Sequence, residues 1–217
     1  AGFVNTRIDG GAFERGDARW RQMQRLRFFG RDVGRIIGCV GSVDGRKDPQ
    51  TFLAIARQII KAYDDVCFVW VGSGGLLSQM IAAVKLEGLQ DRVCFFGAVP
   101  VADMPKIYQS FDLFLLTSRA EGVPLCVLEA NAARVGVVSS GYPGVRSVVV
   151  DGVTGLIFDA GDISDGVSKL RSLLDNREQV SSLADAAHSE FDMWHNGPAI
   201  MGQDWAGVYR SIVAARE

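Results

Sequence analysis

Between Ser118 and Arg134 the chain reads SRAEGVPLCVLEANAAR, which sets Glu121 directly after an apolar run and Glu129 a short way into the stretch that follows. Gly122 permits an unusual turn, and Pro124 suits the first turn of a helix, where a missing N–H costs little. The N–H groups of Val123, Leu125 and Cys126 would then stand at a helix start, which favours an anion and typically a phosphate. Glu121 precedes that start and can reach hydroxyls beside the anion. Glu129 lies about 7 Å further along the helix axis and can hold a second diol, because carboxylates are good bidentate acceptors. One anion site between two diol-binding carboxylates matches the ribose, diphosphate and hexose of a nucleotide sugar. The same two residues also fit a cap-like acid followed by an exposed helical acid.

A cation is available as well. GSVDGRKDP carries Arg46 and Lys47 in a turn after another apolar run, where Lys47 would neutralise a diphosphate and help it leave; a solvated charged turn is the plainer alternative. VGSGGLLSQM has Gly72, Gly74 and Gly75 but Leu77 where a dinucleotide loop needs its last glycine, so it reads as close packing against a ligand or the sheet. The chain has neither a D-x-D motif nor a P-loop, which disfavours a metal-chelating transferase and a P-loop NTPase. Cys39, Cys67, Cys94 and Cys126 sit in apolar contexts without a C-x-x-C pair and read as small buried residues of a reducing cytoplasm. His188 and His195 lack neighbours of ligand spacing, so no metal is expected.

These residues need a frame. RIIGCVGS, VCFVWVG, RVCFFG, DLFLLTS, VGVVSS and TGLIFDA are short apolar runs, and amphipathic stretches alternate with them. In DPQTFLAIARQIIKAYD, for example, Phe52, Ile55, Ala56, Ile59 and Ile60 share one helical face. GVRSVVVDG reads as a further short helix. Strands apolar throughout and alternating with helices predict an α/β fold, a Rossmann-like doubly wound parallel sheet of about six strands with helices on both faces. In such a sheet ligands bind beyond the carboxyl ends of the strands, where the turns bearing Lys47, Gly97 and Glu121 would gather.

The 217 residues, 48% hydrophobic and 22% charged, suit one globular domain with a core of ordinary size. A net charge of -2 argues against a nucleic-acid partner. No apolar run is long enough to span a bilayer, and the first residues lack the layout of a signal peptide, so a cytoplasmic protein is expected. Residues 1–34 read as a linker exit and helical segment, 35–175 as the core and 176–217 as closing helices.

Taken in order, VNTRIDGGAF, VGSVDGRKD, FVWVGSGG, DRVCFFGAVPVADMPKIYQSFDLFLLTS, AEGVPLCVLEANA and DGVTGLIFDAGD resemble the C-terminal half of group-1, family 4-like retaining glycosyltransferases with the GT-B fold. The two glutamates separated by seven residues are a specific mark of that family. The resemblance implies a nucleotide-sugar-binding domain that works with an N-terminal half to move a hexose-type sugar onto a glycan or lipid-linked acceptor. It implies no cofactor, and it allows peripheral membrane contact through that other half, at the cytoplasmic face. By the same resemblance Glu121 and Lys47 are catalytic, Glu121 on the sugar and Lys47 on the diphosphate. Glu129 would hold the ribose. The backbone from Gly122 through Val123, Leu125 and Cys126 would meet sugar and phosphates, and the loop from Gly97 to Val99 the base.

The chain also departs from the family. Ser42 replaces a usual arginine, for which Arg46 is the nearest substitute; Gly136 replaces a proline, Pro143 the first of two glycines, and Ser147 an acidic residue. These departures motivate an alternative, a degenerate half that binds nucleotide or serves as a scaffold without catalysis.

Overall fold

In the computed structural model, residues 8, 10–13 and 18–195 are described. All six apolar runs are strands: β1 (Arg35–Val40), β2 (Val66–Val71), β3 (Val93–Gly97), β4 (Leu113–Leu116), β5 (Gly136–Gly141) and β6 (Leu156–Asp159). They form one sheet in the order β3-β2-β1-β4-β5-β6, and every adjacent pair is parallel. Parallel neighbours need crossovers, and the helices α1 (Ala18–Phe29), α2 (Pro49–Ala62), α3 (Leu77–Leu86), α4 (Met104–Gln109), α5 (Leu125–Ala132), α6 (Ile163–Leu174) and α7 (Arg177–His195) cover the two faces. The helices α2, α3 and α6 lie on one face, and α1, α4, α5 and α7 on the other. This is the doubly wound sheet expected from the sequence.

Burial on both faces explains why the strands are apolar throughout. Every residue of β2 and β4 is buried, and Phe52 of α2 meets Phe68, Trp70 and Phe95 edge-on at 5.1 to 6.1 Å between ring centroids. The chain order reverses between β1 and β4, so the loops leaving these two strands diverge and open a crevice at their carboxyl ends.

The glycines of VGSGG pack against protein. A Cβ on Gly72, whose φ is +149°, would lie 1.9 Å from the Gly41 carbonyl oxygen, and one on Gly74 would lie 2.4 Å from that of Val43. This loop therefore braces the β1–α2 turn from the side. Gly72→Ala is expected to cost about 1–3 kcal/mol of stability, read as a lowered urea midpoint at unchanged m-value. A midpoint equal to that of the parent chain would contradict the contact.

Two sequence expectations change. GVRSVVVDG holds only a 3₁₀ turn at Val145–Ser147. The chain then bends into a turn in which the Val150 N–H donates to Thr154 Oγ1 at 2.8 Å, and Asp151 bridges Gly155. Cys94 is half-exposed, whereas Cys39, Cys67 and Cys126 are buried; all four are free thiols. The closing segment with Trp205, Val208, Tyr209 and Ile212 lies outside the described residues, as do residues 4–7 and 9 of VNTRIDGGAF.

Candidate functional site

Two loops make the crevice, one after β1 and one after β4, and the chain stitches them together. Asp44 folds the first: its carboxylate accepts from Ser42 Oγ at 2.7 Å and from the backbone N–H groups of Arg46 and Lys47 at 3.0 and 3.1 Å. The Ser42 hydroxyl is the leading cause that holds the Asp44 carboxyl below its usual range. Ser42 is thus committed to shaping the turn.

Asp48 ends that turn in the left-handed region, with φ +52°, and caps α2 by accepting from the Thr51 N–H at 3.1 Å and its hydroxyl at 2.9 Å. From β4 come the ties. Thr117 Oγ1 donates to the carbonyls of Lys47 and Asp48, each at 2.9 Å. The Arg119 N–H donates to the Arg46 carbonyl at 2.8 Å, and its Nε to Asp48 at 2.9 Å. Ser140 of β5 adds a bond from its hydroxyl to the Ser118 carbonyl at 2.5 Å.

Lys47 is consequently buried, at 6% exposure, and is far from a solvated turn residue. Its Nζ donates to both oxygens of Glu121, at 2.8 and 2.9 Å, and stands 3.7 Å from Cys126 Sγ. Ser118 Oγ also donates to Glu121. The glutamate side chain is 11% exposed. Gly41 makes room for the lysine stem, since a Cβ there would lie 2.8 Å from Lys47 Cε. Burial pulls the ammonium pKa down, but the Cys126 sulfur and the Glu121 carboxylate outweigh it, so Lys47 lies above the ordinary lysine value. Burial also pushes the Cys126 thiol up, to about 11.

Helix α5 begins beside this pair. Pro124 occupies its N-cap position, not the first helical turn, and no side chain caps the helix. Its first N–H groups therefore stand without a side-chain acceptor at the mouth of the crevice, next to a buried cation. Gly122 and Leu125 are exposed there, Val123 is half-buried, and Cys126 turns its sulfur inward.

Glu129 lies one turn further in and is half-buried; its Oε2 accepts from Tyr108 Oη at 2.7 Å. Burial is the main cause that raises its carboxyl pKa, opposed by the Tyr108 bond and the Lys47 charge. Glu121 thus binds Lys47 directly and Glu129 binds Tyr108, and neither is the freely exposed helical acid that a surface reading would require. Gly97, the last residue of β3 with φ +87°, and Val99 just after it are half-buried; the Gly97 carbonyl accepts from the Gly72 N–H at 2.8 Å. Arg46 is exposed on the rim. Ser147 keeps its hydroxyl on the Gly144 carbonyl at 2.7 Å, within its own turn.

Sequence reasoning missed Asp44, Asp48, Ser118, Arg119 and Tyr108. Only Asp48 carried a local signal, an aspartate directly before a proline at a helix start. No group of three or more histidine, cysteine, aspartate or glutamate side chains placed to hold a metal occurs among the described residues, and no described helix is long and apolar enough to cross a membrane.

Known proteins share this frame. The sequence model of the family described as "Glycosyl transferases group 1" matches residues 23–190. Among curated proteins, the chain is 29% identical over 171 residues to D-inositol 3-phosphate glycosyltransferase of Mycolicibacterium smegmatis, covering 77% of this chain and 39% of that one. It is 24% identical over 204 residues to alpha-D-kanosaminyltransferase of Streptomyces kanamyceticus, covering 92% and 52%. The chain thus spans about half, or less, of the length of these relatives. Among solved structures, Anabaena HepE in complex with UDP and glucose superposes with a TM-score of 0.81 at 18% identity, over 94% of this chain and 55% of that one. The C-terminal domain of a group 1 glycosyl transferase, LpcC from Francisella tularensis, superposes with a TM-score of 0.75 at 22% identity, over 86% and 96%. A family match over most of the chain, on a sheet whose switch point holds the expected lysine and glutamates, makes this chain a member of the group 1 glycosyltransferases, with the fold of their C-terminal half.

Proposed function

We propose that the chain is the donor-binding half of a retaining glycosyltransferase that moves a hexose-type sugar from a nucleoside diphosphate onto a glycan or lipid-linked acceptor. One observation carries the reading: a buried ammonium, Lys47, is held by Glu121 and stands 3.7 Å from Cys126 Sγ in the first turn of α5, one turn before Glu129 on that helix. A diphosphate placed there would meet a point charge and free backbone donors together. Lys47 would take up charge on the departing diphosphate, and Glu121, released from Lys47, would hold the sugar and stabilise positive charge at its reacting carbon. Glu129 would accept from the ribose hydroxyls. Gly122, Val123, Leu125 and Cys126 would contribute backbone donors, Gly97 and Val99 the wall beside the base, and Arg46 a rim cation.

This reading asks no metal or organic cofactor to take part, and the acceptor would be held by an N-terminal half. A mannosyltransferase of Mycolicibacterium smegmatis, 24% identical over 186 residues, is named for phosphatidylinositol monomannoside, which supports a lipid-linked acceptor; work at the cytoplasmic face of a membrane belongs to the same proposal.

Calorimetric titration with UDP, GDP and ADP tests the proposal. One of the three should bind, and Glu129→Ala should weaken it by about 1–3 kcal/mol through loss of charge-assisted bonds. Unchanged affinity would remove Glu129 from the site. No binding of any of them to a folded chain would favour a degenerate scaffold.

A further inference from the structure

Tyr142 follows the last residue of β5 and is 4% exposed, yet its hydroxyl has no hydrogen-bond partner among the described residues. Such a group is normally paired, because an unmade buried bond forfeits the water that the hydroxyl had in the unfolded chain. Its loop leans on the catalytic turn. A Cβ on Gly144 would fall 1.6 Å from the Gly122 carbonyl oxygen and 2.4 Å from that of Glu121, so the two backbones touch. The Tyr142 carbonyl accepts from the Val145 and Arg146 N–H groups at 3.2 and 3.3 Å, which fixes the turn against that backbone. Burial raises the phenol pKa, and the Glu121 carboxylate, then the Cys126 and Cys39 sulfurs, raise it further.

Glu121 meanwhile accepts from Lys47 on both oxygens and from Ser118 on Oε1, so that Oε2 has Lys47 as its one donor among the described residues. If Lys47 neutralises a diphosphate, as proposed above, its ammonium must loosen its hold on a carboxylate that is nearly buried. A buried carboxylate that loses a donor needs another. Tyr142, on the loop that packs against the Glu121–Gly122 backbone, is a donor without a partner among the described residues.

We infer that Tyr142 is the exchange partner of Glu121: when a diphosphate draws Lys47 away, the phenol O–H donates to the carboxylate oxygen that Lys47 releases. The proton stays on the phenol, no covalent bond changes, and Glu121 remains ionised and oriented towards the sugar. Tyr142 is thus a positioning residue that touches no ligand. Its cost is carried by the empty site and recovered in the occupied one.

The inference rests on the donor-site reading, and a double-mutant cycle separates the two. The parent chain, Tyr142→Phe, Lys47→Gln and the double variant are titrated with UDP, GDP and ADP, each beside its nucleoside, and their melting temperatures are measured without ligand. Tyr142→Phe should weaken the nucleoside diphosphate by about tenfold while leaving the nucleoside unchanged. Its melting temperature should equal or exceed that of the parent, because an unpaired buried hydroxyl has been removed. In the Lys47→Gln background the same change should have no further effect. Circular dichroism checks that each variant is folded, and Lys47→Arg repeats the cycle with the charge kept. Parent-like diphosphate affinity in Tyr142→Phe, with Lys47→Gln weakened, overturns the exchange and spares the donor site. A lower melting temperature with equal losses for diphosphate and nucleoside overturns it in favour of a packing role. Unchanged binding in Lys47→Gln sinks the donor reading, and the exchange with it.

Discussion

Lys47→Gln is expected to lose diphosphate binding by about 10- to 100-fold, and to lose stability by about 3–5 kcal/mol because Glu121 is left buried without its cation. The first effect should discriminate between ligands. A nucleoside without phosphates has no claim on the ammonium, so its affinity should change little, and equal losses for both ligands would contradict the assigned role. The stability effect has a pH signature. Lys47 lies above its ordinary value in the folded chain, so its contribution is fully present below the unfolded lysine pKa of about 10.4 and fades as pH rises through the folded value. The gap between parent and variant in urea midpoint should therefore be flat at neutral pH and close in strong alkali. A gap that opens with rising pH would mean that the ion pair is not its source.

Glu121→Gln should lower turnover of the nucleotide sugar by about 10²–10³-fold with a much smaller change in nucleotide affinity. The amide keeps the shape, and its oxygen can still accept from Lys47 Nζ, so the stitched loops should hold. On the proposed reading, what disappears is a negative charge beside the reacting carbon, which would matter most where positive charge develops. Release of nucleoside diphosphate, followed under saturating donor, reads this directly. A rate within about threefold of the parent would take Glu121 out of the chemistry and leave it as a structural partner of Lys47.

The frame was readable because it is built from local patterns. Strands buried on both faces are continuous apolar runs, as in VCFVWV of β2, and α2 shows its inner face as Phe52, Ile55, Ala56 and Ile59. Lys47, Glu121 and Glu129 were singled out as candidates through their place after strands and at a helix start, together with the family resemblance. What stayed hidden was the wiring among them. The bond from Lys47 to Glu121 spans 74 residues, that from Arg119 to Asp48 spans 71, and Thr117 reaches back 70 to a carbonyl. No periodicity encodes such pairs, since only the sheet order brings them together. Tyr108 was invisible for the same reason, its link to Glu129 being a contact between α4 and α5. The failed helix at GVRSVVVDG shows the converse: the apolar spacing was present, but Thr154 and the Asp151–Gly155 bridge drew the chain into a turn.

The pairing of β1 with β4 aligns Ile37 with Leu113 and Gly38 with Phe114, residues 76 positions apart in the chain. Ladders between such distant segments close slowly, because the intervening loop entropy comes first. A partly folded chain would therefore own either the lysine turn or the glutamate turn, never the joined crevice. Nucleotide would recognise only the finished protein, and each molecule it captured would be withdrawn from the unfolding equilibrium. Donor supply would in that way govern how long the enzyme lasts in the cell.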